Sequence, residues 1–220
     1  MTPPAPAPSR TRFAGDDGSV IAEMALVAPL LVMLMLGVFE FGTAWRNKTI
    51  LTSSLRSAAR IESQGTLNAS IDQIALGALY AGNSKLTRMT LVKVIVYEAT
   101  SAGGGPASNC LSIVATGTTA KGVKNSGGAN SCNVYSPAQV AAAATGGGTF
   151  GSCSNTASWD YNWCAGAAAV TGTRNNSFTN GGPDFVGIYA EYTYDTVTGL
   201  LPGNTIKITD QAIYRIEPAV

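Results

Sequence analysis

Residues 18–45 read GSVIAEMALVAPLLVMLMLGVFEFGTAW. From Met24 to Phe39 no residue is charged and nearly every one is apolar. As a helix rising about 1.5 Å per residue, Ser19 to Trp45 exceeds a hydrocarbon core of roughly 30 Å. We read residues 19–45 as a transmembrane helix. Pro29 and Gly37 inside the run are tolerated in such helices, and Trp45 suits an interfacial anchor. Two carboxylates flank the apolar centre, Glu23 before it and Glu40 after it. An unpaired charge costs about 2.5–3.5 kcal/mol at the bilayer centre on insertion scales, so each needs a task or access to water. For Glu40 the alternatives are a contact with another subunit's helix and, the reading we favour, a place at the outer interface beside Trp45.

Residues 1–18 before this run form a leader. Pro3, Pro4, Pro6 and Pro8 exclude helix, Arg10 and Arg12 add positive charge, and Asp16 and Asp17 precede Gly18. Cleavage after Gly18 would create an α-amino group on Ser19, one helical turn before Glu23. Glu23 would then pair with that amine in its own chain or a neighbour, setting subunit register.

Beyond Trp45 the helical pattern continues in an amphipathic register. Ile50, Leu51, Leu55, Ala58 and Ala59 recur at spacings of three and four, with Gly65 as a stop. A second helix is expected at 71–80, with Ser70 and Gln73 as a capping box and Gly82 as a C-cap. The β-branched run MTLVKVIVY at 89–97 reads as a strand. Asp184–Tyr194 and Thr205–Glu217 alternate as two more, joined by the turn residues Pro202-Gly203-Asn204. Residues 101–182 are rich in Gly, Ser, Asn and Thr and read as a loop-rich insertion, with a short helix expected at 138–144. The fold class that follows is α+β: a long N-terminal helix packed on a small antiparallel sheet, with residues 46–220 as the outer domain.

Composition narrows the function. The formal net charge is +1, which gives no bulk electrostatic pull towards nucleic acid. There is no histidine, which removes the commonest general base and metal ligand. The scattered carboxylates Asp160, Asp184, Glu191, Asp195 and Asp210 accompany no nucleophile and base, and the triglycine stretches lack a following Lys-Ser/Thr. No enzyme, cofactor or metal is expected. Cys110, Cys132, Cys153 and Cys164 all lie in the insertion and point to disulfides in an oxidising compartment. Of the three pairings, Cys110–Cys132 with Cys153–Cys164 is the one expected. Trp159, Tyr161 and Trp163 beside the last pair are candidates for surface binding, or else a small core under the loop, the reading we prefer.

Residues 18–64 resemble the TadE-like family of the tight-adherence (Flp) pilus systems. The resemblance rests on Gly18 and Glu23, Ala25-Leu26, Pro29, Glu40-Phe41-Gly42 and Ala58-Ala59-Arg60, and the closing strands through Arg215 and Glu217 also look like the end of such proteins. It implies a minor pilin or pseudopilin with a type IV pilin-like fold. Its implied partners are a prepilin peptidase cutting between Gly18 and Ser19, the major pilin, other minor pilins, an inner-membrane assembly platform and membrane lipid. It implies a single-pass inner-membrane location, with the C-terminal part in the periplasm or carried into a pilus. The rival reading is a secreted or anchored, disulfide-bonded periplasmic binding or adhesion module. In its soluble form it would be cut at Gly42-Thr43-Ala44 and start near Trp45.

Overall fold

A computed structural model of the protein describes residues 17–65, 68–124, 130–165, 174–178, 182–199 and 204–218. The leader before Asp17 and the Pro202-Gly203 part of the expected turn lie outside the described residues. The chain divides into two compact units, Met1–Gly42 and Thr43–Val220.

In the first unit the described chain is wholly helical, the opening part of α1 (Asp17–Gln64). This helix is long and apolar enough to cross a membrane, and its apolar side chains from Val20 to Phe39 are exposed. Pro29 lies inside it without ending it. It removes one main-chain donor in a stretch where helical bonding otherwise satisfies the backbone internally, the condition a bilayer imposes.

The second unit is built on five antiparallel strands: β1 (Met89–Ala99), β2 (Gly122–Val123), β3 (Cys132–Tyr135), β4 (Phe185–Asp195) and β5 (Thr205–Arg215). Their order across the sheet is β2-β3-β1-β4-β5. Leu51, Leu55, Ala58 and Ala59 of α1, all fully buried, pack on one face. They are joined by Ala75, Leu76 and Leu79 of α2 (Ile71–Asn83) and by Val140 and Ala143 of α4 (Pro137–Ala144). The even-numbered residues of β4 from Val186 to Tyr192, with Val94 and Val96 of β1 and Ala212 of β5, lie on the sheet's side of this core. Each fully buried leucine, isoleucine or valine among them contributes about 1.5–3 kcal/mol.

The opposite face carries a second core of Ile95, Tyr97, Cys110, Cys132 and Val134, closed by Ile113, Val123 and Ile213. A four-residue helix, α3 (Ser108–Leu111), sits here. Because β1 is covered on both sides, Lys93 to Tyr97 are buried without alternation. The Tyr97 ring lies over Gly187 on the next strand, so closely that a Cβ there would come within 2.3 Å of the ring.

Residues 101–182 are more than a stapled loop. They supply β2, β3, α3 and α4, and Tyr135, Val140, Trp159 and Trp163 of the main core. The short helix starts on a capping box in which Ser136 accepts from the Gln139 N–H and Gln139 accepts from the Ser136 N–H, with Pro137 in the first turn. The capping box expected at Ser70 is absent. Gln73 instead donates to the Gly147 carbonyl at 3.1 Å, tying α2 to the end of α4. Gly82 does not cap α2, which runs to Asn83. A Cβ at Gly82 would lie 2.1 Å from Ser54 Oγ, so this glycine allows α1 and α2 to approach closely.

Candidate functional site

Two places concentrate unusual chemistry, one in each unit. In the first, Ser19 and Glu23 stand four residues apart on α1, on one helical face, and both are exposed. The Glu23 carboxylate is flanked by the exposed apolar side chains of Val20, Ile21, Met24 and Leu26. Gly18, the expected cleavage neighbour, lies in the first turn of the helix. Glu40 differs from its expected place beside open water. It is buried, with 7% of its surface exposed, between exposed Phe39 and Phe41. Trp45, the expected anchor, is 65% exposed.

In the second unit lies a buried charge cluster that sequence reasoning missed. Arg174 donates to Glu62 from Nη1 and to Asp72 from Nη2. All three side chains are inaccessible to solvent. The second Asp72 oxygen accepts from Tyr135 Oη at 2.5 Å and from Asn133 Nδ2 at 3.2 Å. Asn133 also donates to the Trp163 carbonyl at 2.9 Å, and its side-chain oxygen accepts from the Trp163 N–H. The Arg174 guanidinium lies 4.4 Å from the centre of the Trp163 ring. The cluster therefore joins the end of α1, the start of α2, β3 and the chain after Cys164. Two carboxylates share one cation here. Burial, reinforced by the Asp72 carboxylate, pushes Glu62 up to about 8. Burial opposes the charge on Arg174, but the two carboxylates outweigh it and hold the guanidinium protonated. Burial also raises the Tyr135 phenol, keeping it a donor to Asp72.

The disulfides are Cys110–Cys132 and Cys153–Cys164, the expected pairing. The first ties α3 to β3 under the back face of the sheet. The second closes the loop that carries the aromatic trio. Trp159 and Trp163 are not surface-binding residues: they are buried in the main core, where Trp159 meets Phe150 edge-on at 5.3 Å. Apolar area of this size is retained inside because each indole also finds packing partners there. Tyr161 alone of the three is partly open, with Lys124 Nζ 4.2 Å above its ring. It borders a shallow polar cleft of about 330 Å³ lined also by Lys121, Thr156 and Asn162.

The carboxylates that composition left as catalytic candidates are each engaged in holding the fold or left on a strand end. Asp160 accepts from Ser158 Oγ at 2.5 Å and from the Gly151 N–H at 2.8 Å. Asp184 accepts from the Asn175 N–H at 2.6 Å. Glu191 pairs with Lys207 at 2.8 Å, and Asp210 pairs with Lys48 at 3.1 Å and accepts from Thr52. Asp195 is an exposed strand end. No three histidine, cysteine, aspartate or glutamate side chains are grouped to hold a metal among the described residues.

Compared with known proteins, residues 18–60 match a family model described as TadE-like protein. The matched stretch covers Gly18, Ser19, Glu23, Glu40 and the Ala58-Ala59-Arg60 motif. The family is one of structural proteins associated with Tad pili. No curated protein and no solved structure matches the chain.

Proposed function

From a TadE-like segment at residues 18–60 that leads into a disulfide-bonded α+β domain, we propose that the chain is a minor pilin or pseudopilin of a tight-adherence type IV pilus. It takes part in assembly, priming the filament or sitting at its tip. A prepilin peptidase cuts between Gly18 and Ser19, and residues 19–45 hold the chain in the inner membrane. The domain from residue 46 onward stands in the periplasm, where its two disulfides are stable. Its partners are the major pilin, other minor pilins and the assembly platform of the inner membrane.

One observation carries this reading. The stretch that matches the family is also the single apolar helix near the N-terminus of the described residues, and it places one carboxylate, Glu23, a turn after Ser19. A free amine on Ser19 would neutralise that carboxylate on the same helical face, removing the cost of an unpaired charge at the membrane. The rival, a soluble module beginning near Trp45, would leave Asn47 and Leu51, which are buried in the outer domain, within a turn or two of a frayed end.

The test is the N-terminus of the membrane-extracted protein, read by mass spectrometry with and without a co-expressed prepilin peptidase. A peptidase-dependent start at Ser19, abolished by Gly18→Phe, is the expected result. A start at Trp45, or an intact leader in both samples, would overturn the proposal. For Glu23, the expected outcome of Glu23→Ala is loss of incorporation into filaments with processing intact; unchanged incorporation would remove it from subunit registration.

A further inference from the structure

We propose that the cleft bordered by Tyr161 is a binding site for a hexuronate, a sugar ring bearing a carboxylate, free or as a residue of an acidic polysaccharide. The cleft lies wholly within the second unit and does not depend on the pilus reading.

Both disulfide-bonded regions contribute to it. Ile113 follows Cys110, to whose carbonyl its N–H donates at 3.3 Å, and Cys110 is bonded to Cys132. Residues 120–122 come from the β2 edge of the sheet, where the Lys121 carbonyl accepts from the Val134 N–H at 2.8 Å. Thr156, Tyr161 and Asn162 lie inside the loop closed by Cys153–Cys164. That loop is also held internally: the Tyr161 N–H donates to the Ser158 carbonyl at 3.2 Å, and buried Asp160 accepts from the Gly151 N–H. Segments fixed in advance leave less to order when a ligand binds.

The lining offers a cation, an amide, a hydroxyl and an aromatic ring, and none of its residues is acidic. Lys121 Nζ donates to the Val114 carbonyl at 2.7 Å and to Thr116 Oγ1 at 3.3 Å, which leaves one of its three N–H donors unspent. Lys124 stands at the rim, over the Tyr161 ring. Neither lysine forms an ion pair among the described residues, so the local charge selects an anion. The Asn162 side chain makes no hydrogen bond among the described residues, so its amide donors and its carbonyl acceptor are all free. A Cβ at Gly122 would come within 2.6 Å of Asn162 Nδ2, so this glycine leaves room for the amide beside β2. A bare inorganic anion would use the lysines and leave the Asn162 acceptor idle. Sugar hydroxyls both donate and accept, and so use both halves of the amide. Ile113, Ala120 and the Tyr161 ring add apolar surface for the C–H face of a pyranose. The volume of about 330 Å³ suits one ring and not an extended stretch, since ligand sites span about 300–1,000 Å³.

The test is saturation-transfer NMR on the full chain at low salt, in micelles of a detergent without sugar headgroups, with D-galacturonate as the probe. A ligand of this size is expected to bind with a Kd of about 1 mM. Galactose, which has a hydroxymethyl group in place of the carboxylate, should bind at least about tenfold more weakly, and Lys121→Met should remove most of that preference. Asn162→Ala should weaken galacturonate binding about fivefold with the melting temperature unchanged, because that amide holds nothing in the fold. Polygalacturonate at equal sugar concentration displaces the monomer if the site takes a residue within a polysaccharide, and fails to displace it if the site takes the free sugar acid. Absence of saturation transfer from galacturonate, equal binding of galactose, displacement by equimolar acetate, or an unchanged Kd in Asn162→Ala would each overturn the proposal.

Discussion

Replacing Arg174 by methionine keeps most of the side-chain volume and removes the one cation that faces Glu62 and Asp72. Both carboxylates are fully enclosed, so water cannot take its place. Removing one partner of a buried ion pair costs about 3–5 kcal/mol. Asp72 keeps its bonds from Tyr135 and Asn133, and Glu62 can accept a proton, which places the expected loss near the lower end of that range. At about 2–4 °C per kcal/mol for a domain of this size, Arg174→Met should lower the melting temperature by roughly 6–12 °C if the loss is about 3 kcal/mol. The assay is a thermal melt of the detergent-solubilised chain followed by tryptophan fluorescence, since the Trp163 ring lies against the guanidinium. Glu62→Gln is the matched control. A neutral amide resembles the protonated acid that burial favours, so it should cost less than about 1 kcal/mol at pH 6. If Arg174→Met melts within 2 °C of the parent, or Glu62→Gln is as damaging as Arg174→Met, the account of two carboxylates sharing one cation is wrong.

The pH dependence of stability follows from the same burial. Glu62, Glu98 and Asp160 rise from ordinary values of 4.5, 4.5 and 3.8 to about 8, 7 and 6. Through these three groups the folded chain holds more protons than the unfolded chain in this window, so their contribution to stability is full below about pH 4 and is lost as pH rises towards 8. Melting temperatures measured from pH 4 to 8 should decline, and Glu62→Gln should flatten the upper part of the curve. The disulfide Cys110–Cys132 closes a separation of 22 residues, and Cys153–Cys164 one of 11. Chain-entropy arguments give each about 3 kcal/mol, so replacing either pair by serines should lower the denaturant midpoint, the longer loop slightly more. Gly187→Ala places a methyl group inside the Tyr97 ring; we expect a loss of about 1–3 kcal/mol in the same denaturation assay, with little change in Gly103→Ala, where a Cβ meets nothing within 4 Å.

The elements that sequence reveals are those whose local pattern and tertiary role agree. Leu51, Leu55 and Ala58 repeat at helical spacing because one face of α1 is covered, and Val186 to Tyr194 alternate because β4 is covered more heavily on the helix side. β3 was illegible for a different reason. Its four residues, Cys132 to Tyr135, are all buried between two cores, so Asn133 has no alternation to signal it and looks like a loop residue among the neighbouring serines and glycines. Asn133 is there for its hydrogen bonds to Asp72 and Trp163, which no local pattern encodes. The charge cluster was hidden likewise. Arg174 is 112 residues from Glu62 and 102 from Asp72, and each resembles an ordinary surface charge in its own segment. The available clue was the low charge density of the surroundings, in which a single arginine after a disulfide-bonded, aromatic-rich loop is conspicuous. Ser70 and Gln73 had the right spacing for a cap, but Gln73 makes a tertiary bond instead.

The strand order has a consequence for how the domain comes into being. β1 lies between β3 and β4, so the middle of the sheet waits for residues that follow it by almost a hundred positions. During synthesis or export from the N-terminus, α1, α2 and β1 emerge long before β4. Until then β1 offers a bare edge and the cores on both faces stay open to unwanted association. Closure is therefore a late event of high contact order. A chain interrupted before Phe185 would have its apolar helix complete and the β4 edge of β1 unpaired.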